Sequence, residues 1–110
     1  MTKQEIEVLG QAMREEHRLS GWAVRAVYEQ DDIGDEDDIA GRYGRTFHKE
    51  RLIWVNMRYA ENPTLVREIL LHEIAHALLG QRVGDQHDAT FQVKLREIRG
   101  NVAEFTQARG

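Results

Sequence analysis

Apolar positions recur along this chain with two different periods, and the switches between them divide it into elements. Ile6, Leu9 and Met13 repeat at helical intervals, and Thr2 followed by Glu5 has capping-box spacing. The pattern predicts a first helix over roughly residues 3 to 19, stopped by Gly21. Trp22, Val24, Ala26 and Tyr28 then alternate with other residues, as in a strand with one buried face. A second short strand is predicted over about residues 42 to 48. A third, rich in Leu, Ile, Trp and Val, covers about 51 to 57, with Lys49 and Glu50 turning the chain between the two. Asn62 and Pro63 then carry a helix-start signal, Asn62 at the N-cap and Pro63 at the first helical position. The helix they open runs to Leu79 and ends at Gly80. Val66, Ile69, Leu70, Ala75 and Leu78 make it apolar on most sides, as a buried central helix would be. Beyond a short polar loop over residues 81 to 86, Asp88 can cap a final helix. In it Phe91, Leu95, Ile98 and Val102 fall at intervals of four, three and four.

Composition adds bounds. The chain has 110 residues and neither internal repeats nor an interdomain linker, so residues 1–110 read as one domain with a real core. Hydrophobic residues at 41% and charged residues at 31% fit a soluble globular chain, and no apolar run reaches membrane-spanning length. The N-terminus has no apolar secretory core. With no cysteine the chain can form neither disulfides nor a cysteine-ligated zinc ribbon, which fits a cytoplasmic location. The formal net charge of -4 is uneven. Residues 29 to 38 hold seven acids and no base, and setting them aside leaves the remainder at +3. This stretch, continued to residue 40, reads as a solvated loop, and residues 101 to 110 as a flexible tail. Asp31, Asp35 and Asp37 alternate in it, yet the ordered pattern of a calcium loop with its terminal Glu is missing. No basic stripe of the kind that dominates nucleic-acid binding is present.

The chemistry is concentrated in His72-Glu73-Ile74-Ala75-His76, which spells H-E-x-x-H inside the predicted central helix. Helical positions four apart differ by only about 40° in direction and about 6 Å in height. His72 and His76 therefore point the same way and can bind one metal ion, and Glu73 can reach a water at the metal's open position. This is the working core of a zinc hydrolase. A catalytic zinc site normally takes a third protein ligand. The metzincin completion is absent, because Leu79 and Arg82 stand where its Gly and His would be. Two candidates remain. His87, beyond a short loop at the mouth of the last helix, can return beside the central helix, and Asp88 could cap that helix or orient a ligand. Glu97, within the last helix, would give a site of two His and one Glu, but it also reads as one charge on an exposed face with Lys94, Arg96 and Arg99. His87 is preferred. His17 and His48 read as solvated or packing residues, and Trp22 and Trp54 as core of the sheet.

The run Leu71 to Leu78, followed by His87-Asp88-Ala89-Thr90-Phe91, resembles the SprT-like/Spartan zinc metalloprotease domain. That family places H-E-x-x-H on one helix and a third His at the opening of the next, usually as H-G-x-x-F; here Asp88 stands where Gly is common. Weaker matches lie upstream, at Trp22, at Gly41-Arg42-Tyr43-Gly44 and at Asn56, so the resemblance covers about residues 1 to 100. It implies an α+β fold: an N-terminal helix, a three-stranded antiparallel sheet, the buried metal helix, and a C-terminal helix opened by the third ligand. It implies one Zn2+ ion held by His72, His76 and His87, with Glu73 as the general base of peptide-bond hydrolysis on a protein or peptide substrate. In zincin-like folds an edge strand beside the cleft pairs with the substrate, and the third strand, around residues 52 to 56, is the expected one. Tyr43, His48 and Tyr59 are candidates for stabilising the oxyanion. Weak DNA association is implied by resemblance only, since relatives that act on DNA-crosslinked proteins carry extra modules for which this chain has no cysteines. The competing readings are a zinc-stabilised regulatory module and a nucleic-acid-associated accessory protein. An intact Glu73 favours the peptidase, because a structural site needs no base there.

Overall fold

The computed structural model describes residues 1–29, 39 and 41–109, with side chains described through residue 99. The architecture is α+β: helix α1 (Lys3–Glu16), strands β1 (Ala23–Val27), β2 (Gly44–Phe47) and β3 (Leu52–Asn56), a 3-10 turn (Met57–Tyr59), and helices α2 (Pro63–Leu79) and α3 (Ala89–Arg109). The acidic stretch read as a loop lies, apart from Glu29 and Ile39, outside the described residues. The backbone of α3 continues through residues 101–109, where the sequence suggested a tail; the side chain of Val102 lies outside the described ones.

The first helix starts as its sequence predicts. Thr2 accepts from the Glu5 backbone, and the Glu5 carboxylate accepts from the Thr2 N–H. Its end differs from expectation. The helix stops at Glu16, and Arg18 adopts a left-handed φ of 59°. The N–H of Arg18 then donates to the Glu15 carbonyl and that of Leu19 to the Arg14 carbonyl, both at 3.0 Å. This is the Schellman closure, made with arginine where glycine is usual, and it folds the buried Leu19 back onto the core.

The sheet order is β1-β3-β2, with β2 antiparallel to β3 but β1 parallel to β3. The sheet is therefore mixed, where an all-antiparallel one was expected. The separation of β1 from β2 along the chain, residues 28–43, is long enough to allow β3 rather than β2 to lie beside β1. The most apolar strand thus takes the centre, and β3 has no free edge, which corrects its assignment as the substrate-pairing strand. The outer edge of β1 is closed by α1: Val24 N–H donates to Gln11 Oε1 and Ala26 N–H to Glu7 Oε2, each at 3.0 Å. Among the described residues, the edge left over is that of β2. Asn56 N–H donates to the Tyr43 carbonyl, which sets the alternation. In an antiparallel pair, residues 45 and 47 then bond to β3, while Gly44 and Thr46 turn their N–H and C=O groups outward.

Val24, Ala26, Ile53 and Val55 point from the sheet into a core with Ile6, Ile69, Leu70, Ile74 and Phe91. Trp22 and Trp54, read as core, are only partly buried; the Trp54 ring meets Phe47 edge-on. The predicted periodicity of the last helix holds for Phe91, Leu95 and Ile98, all buried.

Candidate metal centre

Helix α2 is fixed at both ends by its own sequence. Asn62 Oδ1 accepts from Leu65 N–H at 3.1 Å, Pro63 occupies the first turn, and Gly80 closes the helix at a positive φ of 74°. His72 and His76 leave the same side, as their spacing requires. His87 arrives from a loop held by its own side chains. Gln86 Nε2 donates to the carbonyls of Arg82 and Gly84, and Arg82 donates back to the Gln86 carbonyl. Arg82 also donates to both Asp88 oxygens at 3.0 Å, and Asp88 Oδ1 accepts from Phe91 N–H. Asp88 is thus the cap of α3, and its carboxylate is engaged by Arg82 and Phe91. The bond to the Phe91 backbone, then the one to Arg82, holds its carboxyl below the usual range.

The three imidazoles converge through the same atom. Nε2–Nε2 distances are 3.2 Å for His72–His87, 3.3 Å for His72–His76 and 3.1 Å for His76–His87. Hydrogen bonding cannot account for this triangle. Each neutral Nε2 either carries a proton or does not, so at least two of the three atoms share a role and oppose each other. The spacing fits a shared cation: tetrahedral legs of about 2.05 Å give an edge of about 3.3 Å. The cluster can hold one metal ion. Phe91, fully buried, is the floor beneath it. Its ring stacks on His76 at 4.4 Å between centroids and meets His72 at 4.9 Å and His87 at 5.0 Å. Burial, then the His87 and Arg99 charges, lowers the His72 pKa. Burial, followed by the neighbouring histidines and Arg82, pushes His76 down to about 4. Both imidazoles therefore favour the neutral form that a metal needs.

Glu73, on the same helix, is 6% exposed and opens into the same cleft, whose volume is about 580 Å³. Thr46 on β2 holds it. The hydroxyl lies 2.8 Å from Glu73 Oε1 and 3.1 Å from the Glu73 carbonyl. Burial pushes the carboxyl up to about 7, with the Thr46 bond and the charges of Arg42 and Arg45 pulling the other way. The close approach of β2 to α2 depends on Gly44, where a Cβ would stand 2.6 Å from the Trp54 carbonyl oxygen and 3.2 Å from Glu73 Cγ.

The remaining sequence candidates separate. Tyr43 and His48 line the cleft; Tyr59 lies behind Tyr43, with ring centroids 4.7 Å apart. Glu97 bonds Lys94 at 2.9 Å and faces a shallow groove with Leu79 and Val93, apart from the histidines. Sequence reasoning missed the hold of Thr46 on Glu73, which no spacing signals. It also missed the contact of Phe91 with all three imidazoles, which its place one turn beyond His87 could have suggested.

Comparison with family models matches residues 10–109 to the SprT-like family. The chain belongs to the SprT-like family. No curated protein and no solved structure matches it. The match spans every residue of the cluster together with Glu73 and Thr46, so the metal-binding geometry and the family assignment concern the same part of the chain. No helix among the described residues is long and apolar enough to cross a membrane.

Proposed function

We propose that this SprT-like protein is a zinc-dependent peptidase, with His72, His76 and His87 as metal ligands and Glu73 as general base. The observation that carries the reading is the Nε2 triangle of tetrahedral dimensions beside a buried carboxylate with a raised pKa. Zinc at such a site supplies a Lewis acid that polarises a carbonyl and lowers the pKa of water towards about 7.

The chain's own residues supply the rest. Glu73, pushed up to about 7, takes a proton from water at a carboxylate oxygen near neutral pH and gives it to the departing amine. Thr46 fixes which way that carboxylate faces. The outward N–H and C=O groups of Gly44 and Thr46 offer an edge on which an extended peptide can add as a further strand, in place of the β3 edge expected from sequence. Of the oxyanion candidates from the sequence, Tyr43 and His48 line the cleft and could donate to a developing oxyanion.

The test is the Glu73→Gln variant. It should retain one zinc per chain by elemental analysis while cleavage of an unfolded protein falls by about 10²- to 10⁴-fold. Equal cleavage by the variant and the wild type would remove the peptidase reading.

A further inference from the structure

Four arginines, Arg42, Arg45, Arg82 and Arg99, line the cleft that holds the histidine cluster. Two are committed to carboxylates of the chain, Arg82 to Asp88 and Arg99 to Glu68. Arg45 lies over the Phe47 ring, 4.9 Å from its centroid. Arg42 is exposed, and among the described residues no carboxylate pairs with it.

The backbone of Arg42 is nonetheless anchored. Its N–H donates to the Ile39 carbonyl at 3.0 Å, and its carbonyl accepts from Asn56 Nδ2 at 2.8 Å. Asn56 is fully buried, and its Oδ1 is held in turn by Arg58 N–H. A fixed stem therefore presents a guanidinium two residues before β2, at the end of the strand edge that would receive a peptide. Arg42 lines the same cleft as Glu73 and the three histidines.

Resting on the peptidase reading, we propose that this cleft selects polypeptides carrying an Asp or Glu side chain within about two residues of the bond to be cut, with Arg42 as the residue that binds that carboxylate. The charge of the chain as a whole, -4, would not suggest an acidic substrate; the preference comes from placing on the rim a cation that no carboxylate among the described residues pairs with. A nucleic-acid phosphate would meet the same guanidinium. A peptide fits better, because Gly44 and Thr46 offer main-chain pairing groups beside Arg42 that a nucleic acid cannot use.

The experiment reads binding and cleavage separately. Fluorescein-labelled peptides of one backbone, with acidic, neutral or lysine-containing centres, are titrated by anisotropy into zinc-loaded Glu73→Gln protein. The same peptides are incubated with zinc-loaded wild type and analysed by mass spectrometry. An acidic centre should bind about three- to fivefold more tightly than the neutral one, and the advantage should shrink as salt rises. Arg42→Glu in the same background should reverse the order, and Arg42→Gln should abolish it. Arg25→Glu, the same charge change at an exposed position on the opposite face of the sheet, should leave it intact. The inference is overturned by a lack of acidic preference, by a preference that survives both Arg42 substitutions, or by an oligothymidylate that displaces the acidic peptide better than unlabelled peptide does. If acidic binding depends on Arg42 while wild type cleaves nothing, the inference stands and the peptidase reading alone fails.

Discussion

A carboxylate sealed to 6% exposure beside three imidazoles is costly unless something uses its charge, and Glu73 is the residue where that cost can be measured. Burial raises its pKa from the ordinary 4.5 to about 7. The neutral form is thus favoured in the folded state, so the contribution to the metal-free protein is complete below about 4.5. It is lost as pH rises through about 7. Glu73→Gln removes this titration and leaves that of His76, whose lowered pKa acts with the opposite sign, in both proteins. Urea unfolding of the metal-free proteins should therefore show the variant gaining on wild type between pH 5 and pH 8, by up to about 3 kcal/mol. A pH-independent difference would mean that the carboxyl titrates normally. Thr46 makes a second prediction. Its bond favours the ionised carboxylate, so Thr46→Val should move the acidic limb of the pH–rate profile upward and lower kcat by roughly tenfold. Zinc stoichiometry should not change, because Thr46 bonds Glu73 and none of the three histidines. Loss of zinc from that variant would show the contact to be structural only.

Between elements, Glu73 is positioned by how closely β2 lies against α2. Gly44→Ala would put a methyl against the Trp54 carbonyl oxygen, which belongs to the neighbouring strand and cannot rotate away. The expected cost is about 1–3 kcal/mol in thermal or urea unfolding, with a loss of cleavage larger than that of Thr46→Val, since the whole strand must move. Unchanged stability would show that the strand has slack. The same pair of elements marks the limit of what the sequence discloses. Helix ends were legible because their chemistry is local: Thr2 with Glu5, Asn62 with Pro63, Gly80, and Asp88 each act within one turn. The end of α1 was misread because Arg18 takes a conformation that usually announces itself with glycine. Alternation in β1 and β3 shows which face each strand buries, but not which strand lies beside which or in what direction. The parallel pairing and the central place of β3 are matters of long-range strand order, which periodicity does not show. The histidines were legible for the opposite reason, since two are tied by helical geometry and the third by a short loop. Thr46, 27 residues from Glu73, is an ordinary strand residue until the sheet is assembled.

An ion held by His72, His76 and His87 would act on the molecule as a whole, because it joins the central helix to the loop that opens α3. That loop is already organised by Arg82, Gln86 and Asp88, so little further ordering would be needed for His87 to engage an ion. Binding to the folded state alone stabilises it by about 2.7 kcal/mol when free metal is a hundredfold above its dissociation constant. For a chain of 110 residues this corresponds to a rise in Tm of roughly 10–20 °C, returned by a chelator. His87→Ala should lose most of that rise while keeping the Tm of the metal-free protein, since the side chain is exposed and packs mainly on the other two imidazoles and Phe91. Glu97→Ala should show the full rise, because its carboxylate meets Lys94 on another face of α3. Calorimetric scans of the three proteins with and without zinc distinguish the ligand sets directly. A rise lost with Glu97 and kept without His87 would assign the third position to the carboxylate, and the tetrahedral spacing of the three imidazoles would then need another cause.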